Sequence, residues 1–282
     1  MKTLLPGIRF LTGFTVLYVV LAAFAEFDSG TRYGVAIFAA VLLVAVVVER
    51  LFGAAWPGVL QRVGLGRPNA RALVLAVGIA VLIQAVYPIV TAATGASFAL
   101  KPGWPWLLVS IFAFHGLAEE LVWRGYAFRR LRNGRSFRAA VLASMPLVAA
   151  THIPVIASSG VTVGVAAMLV AAVTSLPLAH LYELGRRTVW AAAVVHTAID
   201  SFKLVIVPED ERLTFSLALA GISLTVPLLA LIVRRPTLPP SRRQLAVAQP
   251  TASPAASPAA SLAASPTTSP TTSPTTSPRR RS

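Results

Sequence analysis

The stretch FHGLAEELVWRGYAFRRL, residues 114–131, places a histidine, two adjacent glutamates and an arginine inside a run that is otherwise mostly apolar. With the apolar residues before it, the run reaches the roughly 20 residues that a helix needs to cross a bilayer. A charge near the centre of such a helix costs roughly 2.5–3.5 kcal/mol on insertion scales. Charged groups are therefore retained there mostly where they face a cavity and act. The stretch predicts a membrane-spanning helix that carries a polar site.

Composition extends this prediction to the whole chain. Of 282 residues, 56% are hydrophobic and only 12% are charged, which excludes an ordinary soluble domain. The absence of cysteine excludes disulfides, a thiol nucleophile and cysteine metal ligands. The net charge of +15 comes from short basic clusters between apolar runs, so it indicates membrane topology rather than a nucleic-acid partner. The lipid bilayer is the predicted environment.

The hydropathy pattern predicts an all-α, polytopic bundle of about eight transmembrane helices. The predicted spans are 8–26, 34–52, 72–94, 105–128, 138–156, 162–183, 188–207 and 213–233. We divide them into N-terminal helices (1–104), a catalytic core (105–207) and a last helix (208–235).

The loop charges predict the orientation of the bundle. Arginine-rich loops follow spans two, four, six and eight, whereas the loops between them carry few basic residues. The positive-inside rule then places both termini in the cytoplasm. The bias towards Ala, Val, Arg and Pro is typical of GC-rich bacterial genomes, which indicates a bacterial plasma membrane. As an alternative for the N-terminus, Lys2, Arg9 and the small residues Ala23 and Ala25 resemble a signal peptide that would be cleaved.

A change of composition marks the C-terminal segment, 236–282. It contains a four-residue repeat of the Ser-Pro type, as in SPTTSPTTSP. Frequent proline blocks helix formation, and small polar residues cannot bury a core. The segment is therefore predicted to be a disordered cytoplasmic tail.

The spacing within span four separates the two glutamates. Glu120 and Arg124 are four residues apart, so they share a helical face and are predicted to form a structural ion pair. Glu119 lies about 100° around the helix from Glu120, on the face that carries His115. We therefore expect Glu119 to be the free carboxylate, directed elsewhere.

Two other spans carry matching polar groups. His152 lies in span five, and His196 and Asp200 lie four residues apart in span seven. At 1.5 Å per residue, Glu119, His196 and His152 lie about 15, 12 and 21 Å from the cytoplasmic helix ends, which is compatible with one cavity. A glutamate and two histidines can activate water and stabilise an oxyanion. The same atoms could instead bind zinc, through Glu119, His152 and His196 and with His115 as a further ligand.

These residues resemble the three motifs of the CPBP family of intramembrane peptidases, which includes type II CAAX prenyl endopeptidases and bacterial Abi proteins. The motifs are Glu119-Glu120-x-x-x-Arg124, then His152, then His196-x-x-x-Asp200, and the resemblance covers about residues 105–205. Two positions depart from the family pattern. Val148 stands where phenylalanine usually precedes the second motif's histidine by four residues, and Asp200 stands where the third motif often has asparagine.

The resemblance implies a hydrolase, an intramembrane endopeptidase similar to CAAX prenyl protease 2, acting on a membrane-embedded peptide or protein. Glu119 would activate water, His152 would help to position it, and His196 with Asp200 would stabilise the oxyanion. Arg124 would hold Glu120. The favoured mechanism needs no cofactor, and a zinc mechanism is the alternative. Two other functions stay open: a non-catalytic scaffold or bacteriocin-immunity protein, and a small proton-coupled transporter, since intramembrane Glu, His and Asp also form proton relays.

Overall fold

The computed structural model describes residues 4–27 and 32–235, which belong to one compact unit, Met1–Pro236. Among these residues, seven helices are long and apolar enough to cross a membrane. They are Gly7–Phe24, Gly34–Leu51, Ala70–Thr94, Trp104–Leu131, Phe137–Ser158, Val161–Leu184 and Glu209–Ile232. The predicted all-α membrane bundle is confirmed, and the chain is an integral membrane protein. The predicted tail, 236–282, lies outside the described residues.

Several spans are divided into shorter elements. The α-helices are α1 (Leu4–Phe27), α2 (Gly34–Leu51), α3 (Val59–Arg62), α4 (Ala70–Ile83), α5 (Val86–Thr94), α6 (Trp104–Ile111), α7 (Arg129–Leu131), α8 (Phe137–Ala150), α9 (Ile153–Ser159), α10 (Val161–Leu184), α11 (Trp190–Asp200) and α12 (Arg212–Thr225). Two π-helical segments, Phe112–Ala118 and Leu121–Phe128, continue α6. 3-10 turns cover Ser201–Leu204, Glu209–Glu211 and Val226–Ile232, and the strands are β1 (Ala99–Leu100) and β2 (Val205–Ile206).

The predicted span 188–207 is shorter than expected. Its helix, α11, has 11 residues and is about 16 Å long, too short to cross a bilayer. A 3-10 turn and strand β2 follow it. Hydropathy overestimated the helix because Leu204 and Val205 are apolar for another reason: they are buried against Ile111 in a small core cluster. The helix count therefore differs by one from the predicted eight.

The span that carries the glutamates lies at the centre of the bundle. Trp104–Leu131 has 61% of its apolar window buried, whereas the other six candidate spans have 17–33%. The neighbouring α11 is equally enclosed, since Ala192, Ala193 and Val195 are fully buried. The parts of these two elements that carry Glu119 and His196 thus lie in the interior of the bundle.

A short two-stranded antiparallel sheet joins these two elements at one end. Strand β1 pairs with β2 in antiparallel register, with Ala99 opposite Ile206 and Leu100 opposite Val205. The Lys101 amide then donates to the carbonyl of Leu204 at 2.8 Å. This pairing holds the 3-10 turn after α11 beside the beginning of α6.

Arginines surround a buried glutamate at the C-terminal end of the central span. Glu49, at the end of α2, is 2% exposed and accepts hydrogen bonds from Arg129 and from Arg130, the latter at 2.6 Å. Arg62 lies 3.7 Å away. Removing one partner of a buried charge pair leaves an uncompensated charge. This cluster therefore joins α2 to the end of the central span.

We expect Glu49→Gln to destabilise the folded protein by about 3 kcal/mol, because it leaves Arg129 and Arg130 without a counter-charge. Thermal unfolding in detergent measures the effect. Glu209→Gln is the matched control, since Glu209 and Arg212 form an ion pair on the surface with side chains 86% and 65% exposed. That control should change stability by less than about 1 kcal/mol. Equal effects of the two substitutions would contradict a structural role for the Glu49 cluster.

Candidate active site

The helix around the two glutamates is widened. π-helical segments precede and follow Glu119 and Glu120, which themselves keep ordinary helical dihedral angles. π-helical turns are rare and frequently occur at functional sites. They hold more residues per turn than an α-helix, so they change the directions in which neighbouring side chains point. Here they bring both carboxylates towards α11.

Glu119 lies between two histidines. Its Oε1 is 2.7 Å from Nδ1 of His115, one turn earlier. Its Oε2 is 3.7 Å from Nε2 of His196 on α11. The side chains of Glu119 and His196 are each 17% exposed, so both are accessible although they lie in the bundle interior. Glu119 and His115 do share a helical face, but Glu119 is not the free carboxylate that was expected, because Oε1 is bonded to His115. Oε2 has no closer ion-pair partner among the described residues.

Glu120 is fully enclosed and contacts two cationic or potentially cationic groups. Arg124 donates to its Oε1 at 2.6 Å, and Nδ1 of His196 donates to the same oxygen at 2.8 Å. The second oxygen, Oε2, is buried without a hydrogen-bond partner among the described residues. The expectation that the two glutamates point to separate places was wrong in one respect. Both meet the imidazole of His196, on opposite nitrogens.

Asp200 and a lysine complete the group. Asp200 Oδ2 lies 3.4 Å from Nε2 of His196, and its Oδ1 lies 2.8 Å from Nζ of Lys203. The same ammonium lies 2.8 Å from Nε2 of His115. Sequence reasoning missed Lys203, although its spacing of three residues from Asp200 in a helical segment was an available signal.

Five side chains thus form a closed ring, in the order Glu119, His115, Lys203, Asp200 and His196. An ammonium group can only donate, so Nε2 of His115 accepts and its Nδ1 carries the proton given to Glu119. Glu120 and Arg124 lie outside the ring. Together with them, the group contains three carboxylates and two fixed cations. A proton on His196, which faces all three carboxylates, makes the group neutral.

The segment that carries this geometry has a known counterpart. Residues 101–202 match the family model of the Rce1-like type II CAAX prenyl endopeptidases. The match supports membership of this segment in the CPBP family. The family is one of membrane proteases, and the match contains all three motifs read from the sequence. None of the curated proteins is significantly similar to the chain.

His152 is the CPBP motif residue that the structure does not place in the ring. It lies in the break between α8 and α9, just before Pro154. Its Nδ1 contacts the carbonyl of Val148 at 3.1 Å and the hydroxyl of Thr151 at 3.3 Å. Within residues 4–27 and 32–235 it forms no ion pair with a carboxylate. Its contacts are therefore those of a residue that closes a helix end.

The zinc ligands considered from the sequence already have other contacts in the described structure. Among the described residues, no group of three or more His, Asp or Glu side chains is arranged to hold a metal ion. Of the ligands considered from the sequence, His115 already uses both nitrogens, on Glu119 and Lys203. The Lys203 ammonium would also repel a cation there.

Gly116 allows the span that carries Glu119 to pack closely against α11. A Cβ at this position would lie 2.5 Å from Oγ1 of Thr197 and 3.1 Å from the carbonyl of Ala193, both on α11. The second atom belongs to a helix backbone and cannot easily move aside. Gly116 is therefore needed for α11 to pack closely enough for His196 to meet both glutamates.

We expect Gly116→Ala to push α11 away, to destabilise the protein by about 1–3 kcal/mol and to lower any activity of the site. Gly78→Ala is the matched control, because Gly78 also lies inside a membrane helix but a Cβ there meets nothing within 4 Å. Thermal unfolding of both variants in detergent is the measurement. A wild-type melting curve for Gly116→Ala would contradict this account of the helix contact.

Proposed function

We propose that the protein is an intramembrane endopeptidase that hydrolyses a membrane-embedded peptide or protein with water activated by Glu119. The observation that carries the proposal is the 3.7 Å separation between Glu119 Oε2 and His196 Nε2 in an accessible interior site. A polar pair at this distance is too far apart for a direct hydrogen bond and can be bridged by one water. That water would contact a base and a potential oxyanion donor at once.

The first step follows from the hydrogen bonds around Glu119. His115 donates to Oε1, so Oε2 stays available to accept a proton from water. The water oxygen forms a bond to the peptide carbonyl carbon while its proton passes to Oε2. The carbonyl oxygen becomes an oxyanion. Protonated His196 can donate its Nε2–H to that oxygen, since Nδ1 is already committed to Glu120.

The second step returns the proton. The tetrahedral intermediate collapses, the carbon–nitrogen bond breaks, and Glu119 gives its proton to the departing amine. Asp200 keeps one oxygen 3.4 Å from His196 and so favours the protonated imidazole. Glu120, which is paired with Arg124, binds Nδ1 on the opposite edge of the His196 imidazole. No external cofactor is needed for the protons and electrons to balance.

His152 has the proposed role of helping to position the water. The support is its place in the second CPBP motif. In the described structure its ring contacts Val148, so the role requires the α8–α9 break to bring the ring towards Glu119 when substrate binds. Pro154 lies in the first turn of α9, a position compatible with the start of a new helix, so the break between α8 and α9 is a suitable hinge.

The membrane position indicates the substrate class. Glu119 and His196 lie on elements enclosed by apolar helices, and exclusion of bulk water strengthens electrostatic interactions at such a site. A substrate must therefore reach the site from the bilayer. The positive-inside pattern supports cleavage near the cytoplasmic face, with both termini in the cytoplasm of a bacterial cell.

Purified protein in liposomes provides the test. A library of membrane-inserted peptides, each carrying a quenched fluorophore, is incubated with wild type, and products are identified by mass spectrometry. We expect cleavage that persists after treatment with a chelator. Loss of cleavage on chelation, with recovery on adding zinc, would favour the metal mechanism instead. Proton flux without cleavage would support the transporter.

A further inference from the structure

Lys203 lies one residue beyond the segment that matches the CPBP family, yet it contacts two members of the ring. We propose that Lys203 is a positioning residue that neutralises Asp200 and fixes the hydrogen bonding of His115, and thereby leaves Glu119 Oε2 and His196 Nε2 free to share the reacting water. This inference rests on the proposed peptidase function and adds a residue to its site.

The backbone holds Lys203 firmly. It belongs to the 3-10 turn Ser201–Leu204, which follows α11 directly. The next residue, Leu204, is 7% exposed, packs in a cluster with Ile111, and accepts a hydrogen bond from the amide of Lys101. A side chain on such an anchored turn can maintain two contacts of 2.8 Å at once.

The first contact controls the charge of Asp200. An ionised aspartate beside Glu119 and Glu120 would add a third negative charge next to His196, and the carboxylates would repel one another. Lys203 occupies Oδ1 of Asp200, and only Oδ2 remains directed at the imidazole. The ammonium therefore balances the negative charge of Asp200. An uncharged side chain at position 200 would not need this positive charge.

The second contact controls His115. Because Lys203 donates to Nε2, the proton of His115 must lie on Nδ1, where it points at Oε1 of Glu119. The other tautomer would present a lone pair to the carboxylate and repel it. Lys203 thus sets which oxygen of Glu119 is engaged and which can act as the base.

A neighbouring lysine provides a matched control. Lys203 also lines an open cavity of about 320 Å³ with Lys101 and Arg212. Lys101 is exposed, and among the described residues no hydrogen bond or ion pair joins its side chain to a member of the ring. Substituting Lys101 therefore removes a cation from the same cavity without touching the network.

The variants are Lys203→Met, Lys203→Arg, Lys101→Met and the double variant Asp200→Asn/Lys203→Met. Cleavage of a membrane peptide in liposomes gives kcat and KM for each. We expect Lys203→Met to lower kcat about 10–100-fold with little change in KM, because the loss lies in the chemical step. Lys203→Arg should retain most of kcat, and Lys101→Met should match wild type.

The double variant is the decisive measurement. Asparagine has the shape of the Asp200 side chain but no charge to neutralise. The double variant should therefore have a kcat about 10-fold higher than that of Lys203→Met alone. Additive losses in the double variant, or wild-type kcat in Lys203→Met, would overturn the proposal. Absence of cleavage by wild type would instead refute the peptidase function.

A thermal-unfolding cycle on wild type, the two single variants and the double variant tests the Asp200–Lys203 coupling without activity. Melting temperatures that show no coupling would overturn the proposed role of Lys203.

Discussion

Glu119→Gln is expected to lower kcat for cleavage of a membrane peptide by about 10²–10⁴-fold, the usual contribution of a general base. Glutamine keeps the size of the side chain, and its carbonyl oxygen can still accept from Nδ1 of His115. It cannot take a proton from water, because a neutral amide is not a base. The protein should therefore fold and bind substrate while the chemical step fails. Liposome cleavage with matched KM measurements separates these effects.

Two controls make this result interpretable. Glu209→Gln makes the same chemical change at an exposed surface position and should leave kcat unchanged. Melting temperatures of both variants in detergent show whether Glu119→Gln has damaged the fold. A cellular phenotype that persists unchanged in Glu119→Gln would contradict catalysis and would favour the scaffold or immunity role.

Local spacing predicted those parts of the site that lie on one helix. His115 with Glu119, Glu120 with Arg124, and His196 with Asp200 are each four residues apart, and all three pairs are in contact or close to it. Helical periodicity is sufficient for such pairs, because their geometry depends only on the pitch of the helix.

Helical periodicity could not predict the contacts between helices. His196 meets Glu120 across 76 positions, and Lys203 meets His115 across 88. The first contact was not predicted, because the motifs grouped His196 with Glu119 and gave Glu120 only Arg124 as a partner. Nothing predicted the second, because Lys203 follows the last motif and lies in the 3-10 turn just before β2.

The widened helix around Glu119 was also unpredictable. A π-helical turn has weaker local preferences than an α-helix and is retained where tertiary contacts require it. Here the requirement is that both glutamates reach one imidazole. Hydropathy likewise located α11 but not its end, since an apolar strand residue and an apolar helix residue give the same signal.

His196→Gln carries the second large expected effect. This histidine touches Glu120, approaches Glu119 and Asp200, and is the proposed oxyanion donor. Loss of one oxyanion donor typically lowers kcat by about 10²–10³-fold. Because Glu119 and His196 act in the same step, the addition of water to the carbonyl, the double variant Glu119→Gln/His196→Gln should be little worse than the poorer single variant. Strictly additive losses would indicate that the two residues serve separate steps.

His180→Gln is the matched control for this substitution, since His180 is also buried on a membrane helix but binds the carbonyl of Val233 at 2.8 Å, away from the ring. Its glutamine can still donate there, so kcat should stay near the wild-type value. His152→Gln completes the set: a fall in kcat comparable with that of His196→Gln would place His152 at the reacting water, whereas wild-type kcat would leave it as a helix-end residue. Equal losses in His180→Gln and His196→Gln would mean that general destabilisation is being measured, and the assignment of His196 to the oxyanion would fail.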